Sequence, residues 1–201
     1  MTLDKVIARA VLSTLIAIFT LFAFMFASLC LVYPSTMMQI TQNMGMDSAS
    51  IKYARRAYDR TGDIYYIAKA THTAIAVKDY KKIVSCGNQL IADDEFELFC
   101  EEKDVEMSAE KKDYSYEQQV YGMICVSEYK LGKKAEAVAR AFELLNGEFP
   151  RLNAVVALLF SIENDDEWTY AEIKGKMGQI DVENLSEKDK AYFDEILALI
   201  G

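Results

Sequence analysis

Residues 10–33 read AVLSTLIAIFTLFAFMFASLCLVY, twenty-four positions without a charge. A helix of that length rises about 36 Å, enough to cross a ~30 Å hydrocarbon layer with some tilt. Thirteen of the side chains are Leu, Ile, Val or Phe, each favouring insertion by about 0.3–0.6 kcal/mol. Ser13, Thr14, Thr20 and Ser28 are compatible with the span, because a helical hydroxyl bonds back to its own carbonyls. A cleaved signal peptide and a lipid-modified Cys30 are the competing readings. The apolar run exceeds the usual 7–15 residues of a signal, and Leu29 occupies the place where a lipidated cysteine is preceded by a small residue. The sequence therefore predicts an uncleaved anchor. Ala23 and Ala27 form a small-xxx-small pair of the kind that lets helices pair in a bilayer.

Charge divides along the same line. Lys5 and Arg9 precede the run, and no Lys or Arg follows Tyr33 until Lys52, 19 residues on. The positive-inside bias then predicts a cytoplasmic tail over 1–9 and an extracytoplasmic remainder over 34–201. That remainder carries 20 basic and 30 acidic side chains. Such a surface repels phosphate backbones and anionic lipid and argues against nucleic acid as a partner.

Beyond the anchor the spacing is helical throughout, and only Pro34 and Pro150 interrupt it. Residues 34–47 lack charge and strong periodicity. They read as a juxtamembrane connector, with Met37, Met38, Ile40 and Met44 placed to lie along headgroups. Residues 48–201 read as one all-α domain. A helix capped by Asp47 or Ser48 buries Ile51, Ala54 and Tyr58, and Gly62-Asp63 turns the chain into a second helix. Tyr80, Ile83, Val84, Gly87, Leu90 and Ile91 form one stripe of a third. A weaker helix over 94–103 and a charged loop over 105–114 come next. Helical spacing resumes with Tyr116, Val120, Met123, Ile124, Ser127 and Leu131, and Gly132 stops it. Ala137 to Leu145 mark the next helix, ended by Gly147 and Pro150. Another, through Val155 and Leu159, ends in the polar turn Asn164-Asp165-Asp166. A segment around Trp168–Met177 leads to a final helix capped by Ser186, with Tyr192, Phe193, Ile196, Leu197 and Ile200 inward.

Two helix joints carry a resemblance. In 58–63 a tyrosine lies four residues before Gly62; in 129–137 Tyr129 and Gly132 are followed by Ala137, and Cys125 occupies a small-residue position. The second joint resembles that of tetratricopeptide repeats, and the two glycines are 70 residues apart, near two periods of about 34. A similar joint at Lys78-Asp79-Tyr80 is in a different phase and has no glycine, and the usual tryptophan is missing. The resemblance, over about residues 48–164, implies stacked helical hairpins that present a groove to a peptide; an irregular bundle is the alternative.

Chemistry is thinly signalled. The single histidine, His72, has no second histidine and no cysteine at ligand spacing, which fits a structural or surface residue better than a metal centre or triad. Asn164-Asp165-Asp166-Glu167 lacks the glycine and distal glutamate of a calcium loop. Cys86 and Cys100 fall on successive helices and could bridge, leaving Cys125 free, or all three could be buried thiols. Asn184-Leu185-Ser186 matches a glycosylation sequon, although a helix cap explains Ser186. With neither a cofactor nor a catalytic set indicated, the expectation is a membrane-anchored, non-enzymatic scaffold for a protein or peptide partner. Tyr53, Tyr58, Tyr65 and Tyr66 are its candidate contact residues, since tyrosine suits half-wet surfaces. An accessory subunit whose membrane helix packs on partner helices is the second expectation, and an enzyme the third.

Overall fold

The computed structural model describes residues 3–109, 115–146, 152–162 and 166–201. Among them the chain is all-helical, with eleven α-helices, two 3-10 turns and no strand. The helices run α1 (Leu3–Val32), α2 (Pro34–Asn43), α3 (Asp47–Thr61), α4 (Ile64–Ala76), α5 (Tyr80–Ile91), α6 (Phe96–Ala109), α7 (Tyr116–Lys130), α8 (Lys134–Ala141), α9 (Asn153–Leu159), α10 (Glu167–Met177) and α11 (Glu187–Ile200). Gly147, Pro150 and the turn residues Asn164-Asp165 lie outside the described residues.

Helix α1 is the apolar run. Arg9–Val32 is long and apolar enough to cross a membrane, with mean hydropathy 2.7, and the rest of the chain covers none of it. Thr14 and Thr20 return their hydroxyls to the carbonyls of Ala10 and Ile16. Pro34 then starts α2, where its missing N–H costs nothing. The stretch expected as a connector is thus helical. Met37 and Met38 turn inward at 3% and 2% exposure, while Ile40 and Met44 stay on the surface. An uncharged helix needs only one apolar face, and α3 supplies the surface that face packs on.

From α2 to α5 each helix packs on the next, and α5 then packs on α7. Their inward faces make one core, with Ile51, Ile67, Leu90, Tyr116 and Ile124 among its most enclosed side chains. Helices α7 to α11 enclose a second, around Leu152, Leu158, Ile173, Met177 and Ile196. Helix α7 serves both: Val120 and Ile124 belong to the first core, Cys125 and Tyr129 to the second. This explains why α7 buries residues on nearly every side. Each enclosed Leu, Ile or Phe contributes about 1.5–3 kcal/mol.

Several boundaries differ from the sequence reading. Helix α6 runs to Ala109 through the expected loop, and residues 110–114 are not described. The helix expected through Leu145 stops at Ala141, and a 3-10 turn follows over Glu143–Asn146. Helix α3 begins on Asp47, so neither Asp47 nor Ser48 supplies a side-chain cap. In α11, Ile196 is enclosed but Leu197 faces out at 40% exposure. The Ser186 cap stands, accepting from the Asp189 N–H.

Helices α3 and α7 are each followed by a left-handed residue: Gly62 at φ 71°, then Gly132 at φ 78°. After α4 the same conformation falls to Lys78 at φ 56°, the joint where the sequence offers no glycine. A side chain in that region strains the backbone by about 1–2 kcal/mol. Lys78→Gly should therefore stabilise the chain by about 0.5–1 kcal/mol after the extra freedom of the unfolded glycine is offset, seen as a small rise in the thermal midpoint.

Candidate functional site

Helices α4, α6 and α7 enclose a cleft of about 460 Å³. The α4 wall carries Tyr65, Lys69 and His72, one turn apart on one side of the helix. Phe99 and Lys103 face them from α6, and Tyr116 closes the floor at the start of α7. Tyr116 is held in place by its surroundings. Ser115 and Gln118 form a reciprocal capping box at the start of α7, and the Tyr116 N–H donates to Asp104 Oδ1 at 2.5 Å. Its ring meets Phe99 edge-on at 5.6 Å.

The Tyr116 hydroxyl and His72 Nε2 are 2.8 Å apart, in hydrogen-bond contact. Desolvation by the cleft walls pushes the His72 pKa down, and the nearby Lys69 and Lys103 charges push it further. Solvent still reaches one side of the ring. Burial pushes the Tyr116 phenol well above its ordinary value. Near neutral pH both groups are therefore uncharged, and the pair holds its proton in place rather than passing it on. Lys103 pairs with Glu106 at 2.8 Å and lies 5.5 Å from the Phe99 ring centre. The result is an aromatic trough with a cationic rim, suited to holding a side chain. Among the described residues no group of three His, Cys, Asp or Glu could hold a metal ion.

The four tyrosines singled out from the sequence do not converge. Tyr65 alone lines the cleft, exposed and edge-on to Tyr66 at 5.7 Å. Tyr66 packs against the first core. Tyr58 donates to Asp93 Oδ2 at 2.5 Å, tying α3 to the end of α5, and that bond raises its pKa to about 12. Tyr53 donates to Cys30 Sγ at 3.1 Å, against the membrane helix. Sequence reasoning missed Tyr116 and Phe99 as site residues. Nothing in the chain signals that they meet His72, because 44 residues separate Tyr116 from it.

All four cysteines are free, and Cys86, Cys100 and Cys125 are buried, so no bridge joins Cys86 to Cys100. Burial pushes the Cys86 and Cys125 thiols upward and leaves them poor nucleophiles. Cys125 donates instead to the Ala137 carbonyl at 3.1 Å, so these two residues of the repeat-like joint do touch. Asn184 of the sequon lies in a 3-10 turn and donates to Asp181 Oδ2.

Compared with known proteins, the chain matches no family model, no curated protein and no solved structure. Any functional reading rests on geometry alone.

Proposed function

We propose that this chain is a membrane-anchored helical adaptor that presents its α4–α6–α7 cleft to a protein or peptide partner at the membrane surface. One observation carries the reading. No described side chain before Pro34 belongs to either core, while both cores are closed by residues beyond it. Anchor and body are therefore separate pieces with separate jobs. Tyr65, His72, Phe99 and Tyr116 offer the partner an apolar, half-wet surface, and the rim lysines favour a carboxylate beside it. The left-handed joints and the Cys125–Ala137 contact support tetratricopeptide-like stacking as the framework. The proposal places the N-terminus in the cytoplasm and residues 34–201 on the other side. Orientation is counted along the chain near the span, where Lys5 and Arg9 stand alone.

The uncovered apolar surface of α1, with Phe19, Phe22 and Phe24 at 67–76% exposure, favours a second reading. In it α1 packs on partner helices and the protein is an accessory subunit. Deleting residues 1–33 separates the two. If the partners recovered with the detergent-solubilised full chain still bind the truncated one, and Tyr65→Ala with Phe99→Ala abolishes their capture, the adaptor stands. Loss of every partner on deletion of α1 points to the subunit instead. Sidedness calls for a cysteine introduced at exposed Glu187, because the native thiols of the domain are buried.

A further inference from the structure

The net charge of the domain conceals a pole. Residues 34–92 hold eight Lys and Arg against four Asp and Glu, whereas residues 93–201 hold twelve against twenty-six. The positive part begins at the anchor. Arg60, in the last turn of α3, donates through Nη1 to the carbonyls of Leu31 at 3.1 Å and Val32 at 2.7 Å, the last residues of α1. Those carbonyls have no partner within their own helix and form the negative end of its dipole, so a guanidinium is the natural cap. Tyr53, seven residues earlier on α3, reaches Cys30 Sγ. The two contacts are about 10 Å apart along α3 but only one or two residues apart on α1. Helix α3 therefore crosses the end of the membrane helix instead of running beside it.

A helix set across the exit of a membrane span lies along the bilayer surface. Lys52, Arg56 and Arg60 succeed one another at intervals of four on one exposed side of it, a row about 12 Å long. Arg56 packs over the Tyr53 ring at 5.8 Å. Among the described residues no carboxylate pairs with Lys52, Arg56 or Arg60. Asp59, the one acid on this flank, accepts from Gln89 Nε2 at 3.4 Å. The expectation that so acidic a domain repels anionic lipid thus fails at the one helix the anchor brings to the lipid.

We propose that α3 is a docking surface for the headgroup phosphates of an anionic phospholipid leaflet, the one from which α1 emerges. Lys52, Arg56 and Arg60 are the contacts, and the acidic helices beyond α5 are held away from the membrane. The inference rests on α1 spanning the bilayer. Each basic residue near such a surface adds attraction that fades within a Debye length of about 10 Å and weakens in salt.

The test is amine acetylation of the full chain in lipid nanodiscs, read by mass spectrometry at Lys52 with Lys188 as an internal reference. In discs containing about 30% phosphatidylserine, Lys52 should react about five-fold more slowly than in phosphatidylcholine alone. The protection should vanish in 1 M salt and in Arg56→Glu, a surface change that leaves both cores intact. Equal Lys52 reactivity in the two lipids overturns the docking surface and leaves the anchor standing. A chain that fails to enter discs of either composition overturns the spanning reading, and this inference with it.

Discussion

Asp166→Ala should destabilise the protein by about 3 kcal/mol, measured by chemical denaturation of the detergent-solubilised chain. Asp166 is 7% exposed and joins three helices. Its Oδ2 accepts from Tyr129 Oη on α7 at 2.9 Å and from Thr169 Oγ1 on α10 at 2.8 Å, and it pairs with Lys134 Nζ on α8 at 2.9 Å. Its Oδ1 caps α10 by accepting the Thr169 N–H. Alanine takes the shared acceptor from all of them in a site that water does not fill. Desolvation works against the charge, but the Lys134 ammonium and the Thr169 and Tyr129 hydroxyls outweigh it and hold the carboxyl down at about 2.

Acid should therefore weaken the fold. The unfolded carboxyl titrates at its ordinary 3.8, so the folded chain binds this proton more weakly than the unfolded chain. The stability the site contributes, about 2 kcal/mol, is complete above pH 4 and is lost as the pH falls toward 2. Asp166→Asn keeps an acceptor for the Thr169 N–H and has no charge to titrate. It should lose less than alanine and should flatten the acid limb of the stability profile. An alanine variant within 0.5 kcal/mol of the parent would show that the three helices need no such hub.

Gly87→Ala should cost about 2 kcal/mol for a single methyl group. Gly87 is the point of closest approach between α5 and α7. A Cβ there would fall 2.6 Å from Ile124 Cγ1 and 2.7 Å from Cδ1. Ile124 is fully enclosed in the first core and cannot swing aside into solvent. Ile124→Ala alone leaves a cavity worth about 3 kcal/mol. In the double variant the new methyl group occupies part of that cavity, so the combined loss should be clearly smaller than the two losses added together. Strict additivity in a thermal or denaturant cycle would remove the proposed contact. The glycine matters for proximity, since its backbone is ordinary helix.

Which parts of this were legible in the chain depends on the range of the interaction. The Gly62 and Gly132 turns, the Ser186 cap and the Ile51, Ala54, Ile83 and Leu90 faces were readable because each is set by residues within a turn or two of itself. The helicity of 34–43 was not. It draws on α3 for the surface that covers Met37 and Met38, and the local sequence carries no caps beyond Pro34. The exposure of Leu197 and Met123 was hidden for a similar reason: helical spacing defines an apolar side but cannot say how wide a strip the neighbours will cover.

The candidate cleft was invisible for a stronger reason. Its parts come from α4, α6 and α7, and a lone histidine, a phenylalanine and a helix-starting tyrosine have no spacing that betrays their meeting. Tyrosine enrichment pointed to the right helix for Tyr65 and misled for Tyr53, Tyr58 and Tyr66, whose hydroxyls or rings are committed to Cys30, Asp93 and the first core.

By itself the sequence determined the anchor-length apolar helix, the all-helical character of the chain beyond it and most of the turns, because hydropathy, helical period and left-handed caps are local properties. Only the tertiary structure decided that α7 serves two cores, that four cysteines stay thiols, that Arg60 caps the anchor and that His72 meets Tyr116. Those outcomes depend on which helix faces meet, and that choice is made by packing between segments tens of residues apart, where no local pattern records it.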